Sequence, residues 1–317
     1  MEKILPHHQS YYDSIKDNGR LSAAFFKSKL WPAGSTIKVG FLDNPSPTQP
    51  RTSIADMKRV GRRIDPLQKE LANTPLKEAV KVVVAKRIQP LVNLKFVFVP
   101  DHEAQDADVR ISFADENASW SLVGTDAQHH STKGSATMNL GWFDVGTYIH
   151  EFGHVLGMIH EHQNPRGKEI EWDVPKVEAY MKETQGWDEE QVKTNVLNRY
   201  KKEQINGSKF DPLSVMLYFF PAKLTLNHEG SKQNFSLSGI DSVWISKNYP
   251  GGDQPPAVFY PKAYGVSLKK SIQESNDLRN AMNGRKNHVL LYVLIGVGAL
   301  VIISGLIIWL VLRKRRR

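Results

Sequence analysis

The chain has 317 residues, 40% hydrophobic and 24% charged, enough for one or two domains with a sizeable core. Its net charge of +9 falls to +4 once the five positives of residues 313–317 are set aside (37 Lys and Arg against 33 Asp and Glu), which argues against a nucleic-acid protein built on a broad basic face. Cysteine is absent, so disulfides, thiolate zinc sites, thiol nucleophiles and cysteine-based latency are excluded.

Residues 1–33 are polar and mixed, with no apolar signal region, and are assigned to no domain. Ile37, Val39 and Phe41 alternate with polar or small residues and predict a strand. Asn44 to Thr52 carries three prolines and reads as a loop. Thr74 followed by Pro75 reads as a cap with proline at the first helical position, and Leu76, Val80 and Val83 carry the helix to about Ile88. Leu94 to Val99 and Val109 to Phe113 predict two more strands, and Ser135 to Trp142 an edge strand. This order predicts a mixed sheet backed by helices. Beyond Gly157 the chain reads as irregular, with short helices near Lys176–Lys182 and Glu189–Tyr200 and a last helix over Gly239–Asn248. A Gly/Pro-rich break, Gly251 to Pro256, leads into a polar stretch to residue 288. Val289 to Leu312 then runs 24 residues without a charge, with Tyr292 and Trp309 near its two ends, and predicts one membrane span.

Chemistry concentrates in residues 150–161, H-E-F-G-H-V-L-G-M-I-H-E. His150 and His154 leave one face of a helix one turn apart, about 6 Å along its axis, which suits two imidazoles on one Zn²⁺. Glu151 stands beside them, placed to hold a water rather than to ligate. Gly157 lets the chain leave the helix, and His160 returns as the third ligand. Three neutral nitrogens leave a fourth position for water, as a catalytic site requires. Ile149, Phe152 and Leu156 form the buried side, and Asp144 is a candidate cap. His7, His8, His102, His129, His130, His228 and His288 read as ordinary surface or hydrogen-bonded histidines. His162 directly follows the motif and is weighed as a neighbour of the site.

Residues 210–218 read F-D-P-L-S-V-M-L-Y. H-E-x-x-H-x-x-G-x-x-H followed by such a methionine turn resembles the metzincin zinc proteases. Glu161, the S-V-M-L-Y turn, W-S-L-V-G at residues 120–124, H-E-H-Q-N-P at 160–165 and L-S-G-I-D at 237–241 are similar to the bacterial and fungal members of the astacin branch. The resemblance spans roughly residues 31–250. It implies an α+β fold: a mixed twisted sheet, a long helix and a zinc-site helix, then a mostly irregular and helical lower subdomain. It also implies that Met216 floors the three histidines, that Tyr218 ligates zinc at rest and stabilises the oxyanion during reaction, and that Glu161 makes internal hydrogen bonds. Unlike the animal astacins, the chain has no disulfides, and no F-x-G-D stretch of their proforms occurs.

The expected organisation is an N-terminal extension (1–33), a zinc protease domain (34–250), a juxtamembrane linker (251–288), a transmembrane helix (289–312) and a basic tail (313–317). The expected activity is zinc-dependent endopeptidase action on protein or peptide substrates, with Glu151 as general base and Zn²⁺ on His150, His154 and His160. The expected partners are that substrate and a lipid membrane contacted through residues 289–312, with no nucleic acid. Absence of a signal region favours the cytosolic side for the domain, whereas the dense terminal positives favour placing the tail there, so orientation stays open. The sequons at Asn117, Asn206 and Asn234 matter only in a luminal domain. An inert membrane-anchored binding or assembly protein and a purely structural metal site are the rivals.

Overall fold

In the computed structural model the residues described are 25–252, apart from 47, 115–117, 130, 131, 133, 166–169, 208, 209 and 218. The expected span at 289–312, the basic tail and all but the first two residues of the linker lie outside them, as does Tyr218. Among the described residues no helix is long and apolar enough to cross a membrane.

Among the described residues nine strands form in chain order: β1 (Phe25–Phe26), β2 (Thr36–Phe41), β3 (Gly61–Ile64), β4 (Lys95–Phe98), β5 (Val109–Ser112), β6 (Ser119–Ser121), β7 (Met138–Leu140), β8 (Ile205–Asn206) and β9 (Gln233–Phe235). The helices are α1 (Ile54–Val60), α2 (Leu67–Glu70), α3 (Leu76–Val83), α4 (Asp126–His129), α5 (Val145–Val155), α6 (Val174–Gln185), α7 (Glu189–Val192) and α8 (Gly239–Asn248). The main sheet runs β4-β2-β5-β7-β6, parallel except for β6, which is antiparallel to β7. This is the mixed sheet anticipated, with one correction: the stretch expected at the edge, Ser135–Trp142, yields β7, which is paired on both sides, and the edge is β6.

Alternation along β2 has a direct consequence. Ile37 and Val39 are fully buried, and with Val109, Ile111, Met138 and Leu140 they pack in one core with Ala79, Val80 and Val83 of α3 and Tyr148, Ile149, Phe152 and Val155 of α5. Helix α3 starts just after Pro75 without a side-chain cap, so Thr74 does not serve as one, and it widens into a π-turn over Val84–Ile88. A second apolar cluster, including Val177, Tyr180, Trp187, Val192 and Phe220, organises the chain after the third histidine.

The core also takes in residues ahead of 34. Phe25 and Trp31 are buried, and the segment carrying them closes the end of α5. The last carbonyls of a helix have no intrahelical donor. Here the Phe26 N–H donates to Gly157 O at 3.0 Å and the Trp31 indole to Val155 O at 2.6 Å. The Tyr249 hydroxyl donates to Leu156 O at 2.8 Å, and the Gly124 N–H to His154 O at 2.8 Å. Donors from three distant segments thus fix the turn through which the chain passes from His154 to His160.

Candidate metal centre

Helix α5 begins where Asp144 caps it, accepting from the Thr147 N–H at 2.6 Å and from the Trp142 indole at 2.9 Å. Every residue from Val145 to Val155 is buried, so the helix carries its histidines inside the protein. Gly157 has φ +87°, the left-handed conformation expected of it, and the chain turns there to bring His160 back.

The three rings converge. Centroids of His150 and His154 lie 4.8 Å apart, His154 and His160 4.8 Å, and His150 and His160 5.3 Å. One ligand atom from each lies within 4.8 Å of the other two. The Nε2 atoms of His154 and His160 are 3.1 Å apart, close to the roughly 3.3 Å edge of a tetrahedron with metal–nitrogen bonds of about 2.0–2.1 Å. His150 Nδ1–H donates to Val215 O at 2.9 Å, and His154 Nδ1–H donates to Met158 O at 2.8 Å. With those protons on Nδ1, the Nε2 lone pairs point inward, the arrangement that metal-ligating histidines use. The donor set therefore fits one zinc ion.

Glu151 is buried beside the rings, and burial pushes its carboxyl up to about 8, partly opposed by His154. A bound divalent cation acts in the opposite direction, favouring the carboxylate. Met216 is fully buried against Gly153, the residue before His154, where an added Cβ would come within 2.7 Å of its Sδ.

Glu161 behaves as the resemblance implied. Its Oε1 accepts from the Asn164 amide at 2.9 Å and from the Asp211 N–H at 2.7 Å, and its own N–H donates to Met216 O at 3.0 Å. His162 is buried and held neutral, its value pushed down to about 4 by burial. Its ring lies 5.6 Å from that of His160 at 18°, and its Nε2–H donates to Asn195 O at 3.0 Å. The Gln163 amide donates to Thr194 O at 2.8 Å and Asn198 O at 2.9 Å. The receiving segment is a π-turn over Lys193–Leu197 that follows α7, so residues next to the third histidine dock on the lower subdomain.

Behind the methionine turn lies a set of polar residues to which the sequence reading assigned no role at the site: Arg63, Asn234 (there only a sequon), and Ser238 and Asp241 (there only part of the L-S-G-I-D resemblance). One signal was legible, the S-x-x-D of residues 238–241, which forms a capping box at α8. Asp211, beside this set, is pushed up to about 7, first by burial and then by Asp241, against the opposing pull of Ser238, the Leu213 N–H and Arg63. A folded carboxyl raised above its ordinary value keeps a proton that the unfolded chain releases, so stability declines as pH rises from about 4 to 7. We predict that Asp211→Asn flattens this decline: the difference in Tm, variant minus wild type, measured on the zinc-free protein, grows in the variant's favour from pH 5 to pH 8. A difference independent of pH contradicts it.

A family model, that of the astacin peptidase family, matches residues 86–223. Among solved structures, one of myroilysin is 30% identical, with 72% of this chain and 99% of that chain covered and a TM-score of 0.56. A second myroilysin structure is 29% identical, covering 71% and 87% with a TM-score of 0.45. High choriolytic enzyme 1, a hatching enzyme zinc-protease from Oryzias latipes (Medaka fish), is 12% identical, covering 73% and 98% with a TM-score of 0.38. Curated proteins give no match. Fold and site together define a zinc metalloendopeptidase. The chain belongs to the astacin family of peptidases.

Proposed function

We propose that this chain hydrolyses internal peptide bonds with His150, His154 and His160 as its zinc ligands and Glu151 as its general base. The observation that carries the reading is the convergence of three imidazoles, one ligand atom of each within 4.8 Å of the others, two from the helix that also carries Glu151 and the third returned by the turn at Gly157. Bound zinc supplies a Lewis acid and a water of lowered pKa. Glu151 takes the proton of the attacking water and returns it to the leaving nitrogen. Tyr218 donates its hydroxyl to the developing oxyanion. The peptide lies extended along β6, which has β7 on one side and no strand on the other among the described residues, so backbone pairs with backbone. We further propose that Val289–Leu312 anchors the enzyme to a membrane, on the strength of its 24 uncharged residues; protease protection of the domain in sealed vesicles reports its side.

Digestion of a mixed peptide library tests the activity. Cleavage at internal bonds, stopped by a chelator and restored by zinc, is expected. Stoichiometric zinc with no hydrolysis of any peptide would sink this reading in favour of an inert binding protein.

A further inference from the structure

The carbonyl that receives His150 Nδ1–H belongs to Val215, and two consecutive peptide planes determine where it points. The first plane joins Ser214 to Val215. Its carbonyl accepts from the Asn234 amide at 3.1 Å, and its N–H donates to Asp241 Oδ2 at 2.9 Å. The second plane joins Val215 to Met216. Its N–H donates to Ser214 Oγ at 3.0 Å, and that hydroxyl donates in turn to Asp241 Oδ1 at 2.7 Å. Its remaining polar atom is the Val215 carbonyl itself, 2.9 Å from His150 Nδ1. A peptide unit is rigid, so gripping a plane at both ends fixes its direction. The Asn234 amide also donates to Pro212 O at 3.2 Å, and Arg63, on a bulge between Arg62 and Ile64, donates to Leu213 O at 2.6 Å and to Leu237 O. Three elements remote in sequence, β3, β9 and the start of α8, therefore converge on one turn.

We propose that Asn234 and Asp241, with Ser214 between them, are positioning residues for the zinc site: they aim the Val215 carbonyl, and through it the ring of His150. This rests on the reading of His150 as a zinc ligand. It also gives Asn234 a role unrelated to its N-F-S sequon, because the side chain is buried and its amide nitrogen is committed to two carbonyls. Partners one step removed from a metal typically govern affinity by about 10- to 100-fold.

The test measures zinc affinity by competition with a chromophoric chelator, the visible spectrum of the cobalt-substituted protein, and kcat and KM. The variants are Asn234→Ala and Ser214→Ala; the latter removes one hydroxyl and leaves the α8 cap intact should the former fail to fold. Val243→Ala, a core truncation on the same helix, controls for lost stability, and His150→Ala controls for the ligand assignment. Expected are zinc binding weaker by about 10- to 100-fold, an altered cobalt spectrum, and a fall in kcat larger than any change in KM, none of which Val243→Ala reproduces. If His150→Ala loses zinc while both test variants keep wild-type affinity and spectrum, or if Val243→Ala moves both as far, the positioning role is wrong. If His150→Ala binds zinc as wild type does, the ligand assignment falls and takes this inference with it.

Discussion

Glu151→Gln is expected to lower kcat by about 10²- to 10⁴-fold while zinc content stays at the wild-type level and KM moves little. The two side chains have nearly the same shape, and the metal-ligand cluster contains His150, His154 and His160 but not residue 151. What the amide lacks is the ability to take a proton from water. Since the carboxyl is buried in α5, substitution by the isosteric amide avoids opening a cavity, and the loss is chemical rather than structural. Steady-state kinetics beside metal analysis checks this. A variant with wild-type kcat would remove Glu151 from the mechanism; a variant that loses its zinc would make it part of the metal's holding structure.

The second large effect is structural. Gly124 sits at φ +54°, and a Cβ added there would lie 1.9 Å from the carbonyl oxygen of Lys29. That oxygen accepts from the Thr125 N–H at 3.0 Å, while the Gly124 N–H donates to His154 O at 2.8 Å. The neighbour in the way is backbone, tied on one side to the N-terminal segment and on the other to the zinc helix, and cannot yield without disturbing both. Gly124→Ala is expected to destabilise the protein by about 4 kcal/mol, lowering Tm by about 8–16 °C. Gly34 provides the comparison, with φ +79° and nothing within 4 Å of an added Cβ. Gly34→Ala therefore costs only the left-handed conformation, about 1–2 kcal/mol. Equal shifts in Tm for the two variants would contradict the argument from close approach.

Sequence disclosed the zinc helix well because its signals are local. Four-residue spacing, the Asp144 cap and the Gly157 turn each depend on residues within one or two helical turns, and each is found as expected. Elements too short for periodicity stayed hidden. Ser119–Ser121 is only three residues, too short to show alternation, whereas β7, equally short, lies inside the longer apolar stretch Ser135–Trp142 and so draws the expectation of an edge strand. Phe25–Phe26 is a two-residue strand in a segment whose composition is polar on average, and its place in the core follows from partners far along the chain. Neither π-turn had a signature, since the apolar spacing of Val80, Val83 and Val84 fits an ordinary helix equally well. Least legible were the partners of the buried carboxylates. Glu161 accepts from the backbone N–H of a residue 50 positions away, and Asp241 from a hydroxyl 27 positions away. Their burial is tolerated only because folding brings those donors to them. Composition alone would have placed both acids on the surface.

The most direct test of the account is X-ray absorption at the zinc edge on purified protein, read together with zinc content. One zinc per chain with three imidazole nitrogens at about 2.0–2.1 Å, lost together with peptidase activity in His154→Ala, is the predicted result. Full activity in a metal-free preparation, or an unchanged zinc environment in that variant, would contradict it.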